Sequence, residues 1–137
     1  MVDPILTVHG GLIAVTCFFF HSRLAIQDLS PMGHQPMVSL CGRFCISFNG
    51  EIYNFRDLSA ELLSLGIALR GHSDTEVILE YIAHFGLEKA LKCVIGMFAF
   101  SLYDRNTERL YLVRDRIGEK PLYWFFRPGK ACICLGD

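Results

Sequence analysis

Residues able to bind a metal, attack a carbonyl or cradle a phosphate occur in this 137-residue chain, but not in the groupings such chemistry requires. The five histidines, at positions 9, 21, 34, 72 and 84, are scattered, and the six cysteines, at 17, 41, 45, 93, 132 and 134, form no Cys-x-x-Cys pair. Cys41 and Cys45 read as two neighbouring thiols on one strand, short of the four ligands a tetrahedral site takes, so no metal site is predicted. The twelve glycines contain neither a P-loop nor a dinucleotide fingerprint, which assigns no nucleotide chemistry to this segment. What remains is a set of polar residues at the edges of apolar runs: Arg23, Asn49, Gly50, Glu51 and Asp74. Taken singly, each has an ordinary reading. Arg23 and Glu51 read as solvated charges, Asn49-Gly50 as a hairpin turn, and Asp74 as a first-turn acid favoured by the helix dipole.

The elements that must position these residues are marked by period and punctuation. An apolar run over residues 5–20 reads as containing a buried strand at about 12–20. Residues 28–36, with two prolines and a glycine, predict an irregular loop that no regular element crosses. Residues 44–48 predict a strand that reverses at Asn49-Gly50. Leu58, Leu62, Leu63 and Leu65 recur with helical period over 55–65 and are followed by Gly66 as a stop. Ser73-Asp74-Thr75-Glu76 has the form of a capping box, and Val77, Ile78, Tyr81, Ile82 and Phe85 make the apolar stripe of a second helix ending near Gly86. A third, short helix is predicted over 87–94. Beyond Gly96 the period becomes that of strands, with hairpins over 97–113 and 122–135. Strands, then helices, then antiparallel strands make an α+β domain with helices packed on antiparallel sheets.

Composition bounds the function. At 137 residues, 52% hydrophobic, the chain is long enough for one core that buries roughly two-thirds of its unfolded surface. Thirteen Lys+Arg against fourteen Asp+Glu leave a formal charge of -1, with no basic field to gather nucleic acid or anionic membrane. The first twenty residues carry Asp3 and Pro4 where an export signal needs positive charge, and His9, Gly10 and Gly11 interrupt a run too short to span a bilayer. Cysteines set in apolar runs, such as Thr16-Cys17-Phe18 and Ala131-Cys132-Ile133, read as reduced and buried, which together predicts a cytoplasmic location.

Taken together the polar residues fall within six ordered blocks: His21-Ser22-Arg23-Leu24-Ala25-Ile26; Asp28-Leu29-Ser30-Pro31-Met32-Gly33-His34-Gln35-Pro36; Phe48-Asn49-Gly50-Glu51-Ile52-Tyr53-Asn54; Ser73-Asp74-Thr75-Glu76-Val77-Ile78; Gly96-Met97-Phe98-Ala99-Phe100; and Arg114-Asp115-Arg116-Ile117-Gly118-Glu119-Lys120-Pro121-Leu122-Tyr123. This ordered set resembles the glutaminase domain of the glutamine-hydrolysing asparagine synthetases, a class II amidotransferase with an N-terminal nucleophile. The resemblance covers residues 21 to about 126.

The resemblance implies a four-layer α/β/β/α sandwich, incomplete in this chain, with 1–20 an atypical apolar segment and 21–137 a partial type-2 amidotransferase domain. It implies that Arg23 takes the α-carboxylate of L-glutamine with Ile26 beside it, that Glu51 and Asp74 hold its ammonium group, and that Asn49 and Gly50 form an oxyanion hole. The Arg114 to Lys120 block is given no chemical step; its charges are expected to pair with one another and shape a loop. In the family an N-terminal cysteine is nucleophile and its own amine the base. Met1 is followed here by Val2, so the chain as it stands is expected to be inactive, with Cys17 no substitute because it has no free amine. The family also sets more residues before the Arg23 block and continues past residue 137 into an ATP- and magnesium-dependent synthetase domain. The chain is thus expected to be a fragment of an enzyme converting aspartate to asparagine, and a homodimer is compatible with it. The rival reading is a non-catalytic module that keeps the glutamine pocket for regulation.

Overall fold

In the computed structural model, which describes residues 5–9, 35–127 and 130–135, Ser73 begins the best-defined helix. Its hydroxyl accepts from the Glu76 N–H at 3.2 Å and α2, Asp74–Phe85, follows. The other half of the predicted capping box does not form. The Glu76 carboxylate turns instead to the backbone N–H groups of Arg70 and Gly71, both at 2.7 Å, because the incoming loop offers two unpaired donors and Ser73 only one. Buried residues run around most of α2, including Leu79 and Glu80, so the predicted single stripe understates its burial.

The preceding helix, α1, spans Phe55–Ser64. Gly66, at φ +80°, ends it in the double hydrogen-bonded motif expected of a left-handed stop: Gly66 N–H reaches Leu63 C=O at 3.0 Å and Ile67 N–H reaches Leu62 C=O at 3.1 Å. Only Leu58 and Leu62 of its predicted apolar positions are buried. Leu63 and Leu65 lie more than half exposed, since the helix touches its neighbours along one narrow seam. A short α3, Leu87–Cys93, follows α2 after Gly86.

Five strands form one antiparallel sheet: β1 (Ile5–His9), β2 (Met37–Val38), β3 (Phe44–Ile52), β4 (Gly96–Asp104) and β5 (Arg109–Arg114), in the order β1-β5-β4-β3-β2. The strand predicted over 12–20 lies outside the described residues, as does most of the loop at 28–36; the strand seen in the apolar run is β1, paired with β5. A separate two-stranded hairpin joins β6 (Leu122–Arg127) to β7 (Lys130–Leu135). Alternation along β3 and β4 sends Phe44, Ile46, Phe48, Ile52, Phe98, Phe100 and Leu102 to the helix side, where they join Leu58, Leu62, Val77, Ile78 and Ile82 in the core. The other face is closed as well. Ser47, Ala99, Ser101 and Leu112 lie there, buried, although Ser101 finds no hydrogen-bond partner for its hydroxyl among the described residues.

Four described cysteines are free, and Cys41 and Cys134 are exposed, which corrects the expectation that the thiols are buried. Cys41 sits in the turn before β3 rather than on the strand with Cys45, since Gly42, at φ +73°, bends the chain between them. No described helix is long and apolar enough to cross a membrane.

At the far end of β4 the Asp104 carboxylate is 2% exposed and takes a two-pronged bond from Arg43, at 2.8 and 2.7 Å, while also accepting from Asn106 N–H and the Thr107 hydroxyl. The Arg43 fork holds its pKa down to about 2. A carboxyl so depressed stabilises the fold above its unfolded pKa of about 3.9, and that contribution, about 2 kcal/mol, disappears as pH falls from about 4 to about 2. Urea unfolding at stepped pH should therefore show Asp104→Asn less stable than the unaltered chain at pH 7, with the gap closing across that acid window.

Candidate functional site

Asn49 and Gly50 do not turn the chain. The strand β3 runs through both of them to Ile52, with Asn49 opposite Ala99 and Gly50 opposite Phe98 on β4. The Asn-Gly pair carries a strong local turn signal, but nine consecutive pairings with β4 override it. Gly50 serves a different need. Its φ is +142°, and a Cβ on it would lie 2.1 Å from Met97 O and 2.6 Å from Phe98 Cα, so only glycine fits between the strands. The requirement is reciprocal. A Cβ on Gly96, opposite Ile52, would lie 2.2 Å from Glu51 O and 2.9 Å from Ile52 Cα. Two glycines, one on each strand, thus let the backbones interlock beside Glu51.

Alternation puts Asn49 and Glu51, both half-buried, on the sheet face away from the helical core, while Gly50 contributes only backbone. Asp74 arrives from the first turn of α2. It is 7% exposed, and its Oδ2 accepts from Ile52 N–H at 2.9 Å while Oδ1 accepts from Thr75 N–H at 2.8 Å. The fold therefore gathers Asn49, Gly50, Glu51 and Asp74 at one strand end, the last of them from 23 positions away in sequence from Glu51. Burial pushes the Asp74 carboxyl above the usual range and the negative charge of Glu51 adds to this, against the opposing pull of the Ile52 and Thr75 N–H groups. Two acids that repel one another at a buried strand end suit a cation, which relieves both the burial cost and the repulsion. Arg23 and Ile26 lie outside the described residues.

The surroundings are built from further acids whose part the sequence does not announce. Arg70 reaches Glu76 at 3.2 Å and Glu80 at 3.7 Å, and Glu80 also accepts from Leu40 N–H at 2.7 Å, binding the turn after β2 to α2. The loop of residues 114–120 is held by bonds between its charged side chains and its own backbone. Asp115 accepts from the N–H groups of Ile117, Gly118, Glu119 and Lys120, and Arg114 donates to the carbonyls of Gly118 and Lys120 at 2.6 and 2.7 Å. Backbone groups win because a tight loop exposes many of them close to the carboxylate. Burial pushes the Asp115 carboxyl up, but the bonds from Glu119, Lys120, Gly118 and Phe98 outweigh it and hold it below the usual range. The available sequence signal was an Asp followed by Gly three residues on, the pattern of a side chain capping its own turn. Among the described residues no three or more His, Cys, Asp and Glu side chains gather in a way that could hold a metal ion.

A profile of the family described as glutamine amidotransferase domain matches residues 8–135. Asparagine synthetase (glutamine-hydrolysing) 1 of Bacillus subtilis is 42% identical over 106 residues, which is 77% of this chain and 16% of that protein. Asparagine synthetase (glutamine-hydrolysing) 3 of the same organism is 39% identical over 111 residues, 77% of this chain and 17% of its own length. Amidase chry2 of Gibberella zeae is 36% identical over 113 residues, 82% of this chain and 16% of its own length. The chain thus spans only 16–17% of the length of these relatives.

The glycine interlock generates a test of the site's geometry. Gly50→Ala should cost about 3 kcal/mol in urea unfolding, because the methyl must push apart two paired backbones. Gly66→Ala, where a Cβ meets nothing within 4 Å, should cost about 1 kcal/mol, the conformational penalty alone. Equal losses at the two positions would show that β3 and β4 do not interlock.

Proposed function

Because the chain belongs to the glutamine amidotransferase domain family, we propose that the end of β3 and the first turn of α2 read the amino-acid end and the amide of L-glutamine. The observation that carries this reading is the Asp74 to Ile52 hydrogen bond, which brings an acid of α2 to the strand end bearing Asn49, Gly50 and Glu51. Glu51 and Asp74 hold the substrate ammonium, which neutralises the buried charge of Asp74 and the half-buried charge of Glu51 at once. By the resemblance of their sequence block, Arg23 takes the α-carboxylate with its planar fork and Ile26 belongs to the same glutamine-binding set. The Asn49 side-chain amide and the Gly50 N–H donate to the amide oxygen of glutamine as it becomes negative in the tetrahedral intermediate, where each such donor is worth about 3 kcal/mol.

The enzyme to which this domain belongs is a glutamine-hydrolysing asparagine synthetase. It releases glutamate and ammonia from glutamine and uses the ammonia to convert aspartate to asparagine, with ATP and magnesium acting in its synthetase domain. The described elements form part of a four-layer α/β/β/α sandwich. Burial of Ser47, Ala99 and Ser101 on the sheet face away from the helices, and the approach of β7 to β4, support a second sheet layer on that side.

Calorimetric titration of the chain with L-glutamine tests the reading. Saturable binding is expected, with Arg23→Ala and Asp74→Ala each weakening it by at least about tenfold, since each removes a charge-assisted contact. Ionised Asp74 is the binding form, and its carboxyl is raised, so affinity should begin to fall on acidification at a higher pH than an ordinary aspartate would dictate. A chain that is folded and gives no saturable heat with L-glutamine sinks the assignment, and glutamate release in the same samples reports turnover separately.

A further inference from the structure

We infer that Asp115 is a positioning residue for Gly50, acting through the single peptide plane that joins Met97 to Phe98. This rests on the reading of Gly50 as an oxyanion donor, but the geometry that carries it does not. The β4–β5 ladder ends with Ala99 opposite Arg114. One position further, Asp115 supplies both partners of Phe98 by itself: its own N–H donates to Phe98 C=O at 2.8 Å, and its Oδ2 accepts from Phe98 N–H at 3.2 Å. A side chain here replaces the carbonyl of a strand that has run out.

The Phe98 N–H shares its peptide plane with Met97 C=O, and in a planar trans unit the two point in opposite directions. Holding the N–H on Asp115 therefore fixes where the Met97 oxygen points. That oxygen is the atom nearest the Cβ that Gly50 lacks, at 2.1 Å, with Phe98 Cα next at 2.6 Å. Rocking of this plane would drive the oxygen toward or away from the Gly50 Cα, and with it the adjoining Gly50 N–H. Asp115 is well suited to resist such rocking. It is 7% exposed, its two oxygens accept from the N–H groups of residues 117 to 120, and Arg114 clamps the carbonyls of the same loop. The charged loop thereby belongs to the site without touching substrate.

The test compares the 15N-labelled chain with Asp115→Asn, Asp115→Ala and the control Asp104→Asn, which removes another buried carboxylate, at the opposite end of β4. Asp115→Asn keeps the side-chain size while presenting N–H groups to backbone donors, so the amide resonances of Gly50 and Phe98 should both move and L-glutamine affinity should fall about tenfold, as small displacements of a binding group produce. Asp104→Asn should lower the unfolding midpoint yet leave the Gly50 resonance in place. Asp115→Ala repeats the comparison if the amide variant does not fold. An unmoved Gly50 resonance in a folded Asp115 variant overturns the inference, as does an equal movement in Asp104→Asn. An unaltered chain that binds no glutamine overturns the functional reading alone, and the Gly50 resonance still decides the role of Asp115.

Discussion

A strand that outruns its neighbour leaves backbone N–H groups that must find an acceptor, and burial makes the omission cost about 1–3 kcal/mol for each one. The end of this sheet that carries the candidate site is held by side-chain oxygens that answer that demand. Gln35, just before β2, accepts from Phe48 N–H at 2.5 Å; Asp74 accepts from Ile52 N–H; Asp115 accepts from Phe98 N–H. Three separate segments, the approach to β2, the start of α2 and the loop after β5, are thereby anchored to β3 and β4 on either side of Gly50. Those acceptors add to the β4 pairing in holding the strand end that carries Asn49, Gly50 and Glu51.

The same device explains how so many acids are tolerated inside. Asp74, Glu76, Glu80, Asp104 and Asp115 are all nearly inaccessible, and each accepts at least one backbone N–H. Arginine shares in three of these arrangements, Arg43 with Asp104 and Arg70 with Glu76 and Glu80. The balance between burial and donors then differs from acid to acid. Many loop donors win at Asp115 and an arginine fork wins at Asp104, whereas burial wins at Asp74 and Glu80. Of the acids placed in the candidate site, Asp74 is thus one whose charge burial disfavours.

Local signals located most of the scaffold. Ser73 and the Val77, Ile78, Tyr81 and Ile82 stripe placed α2, Gly66 ended α1, and the polar run after Asp104 marked the β4–β5 turn, because each depends on residues within one or two turns of chain. The candidate binding residues Asn49, Gly50, Glu51 and Asp74 could be named from residue type and resemblance, but how the chain brings them together could not. Asn49-Gly50 looked like a reversal because the strand lying against it begins 46 residues later at Gly96, and no local pattern carries that proximity. The Glu76 carboxylate was misassigned for a similar reason: its partners depend on the path of the loop through Arg70 and Gly71. Asp115 looked like one charge among several, since the donors that define it are main-chain atoms and every residue but proline has one.

Gly50 lies against the backbone of Met97 and Phe98, and Gly96 against that of Glu51 and Ile52, close approaches made possible by the lack of a Cβ on each glycine. Their spacing is set by covalent backbone dimensions rather than by the volume of any neighbouring residue. The phenylalanines and leucines on the helical side can therefore be exchanged for others of similar bulk over evolutionary time with little effect on where Gly50 sits. Two small residues, 46 positions apart in the chain, thereby set the register of this strand end independently of the bulk of the interior.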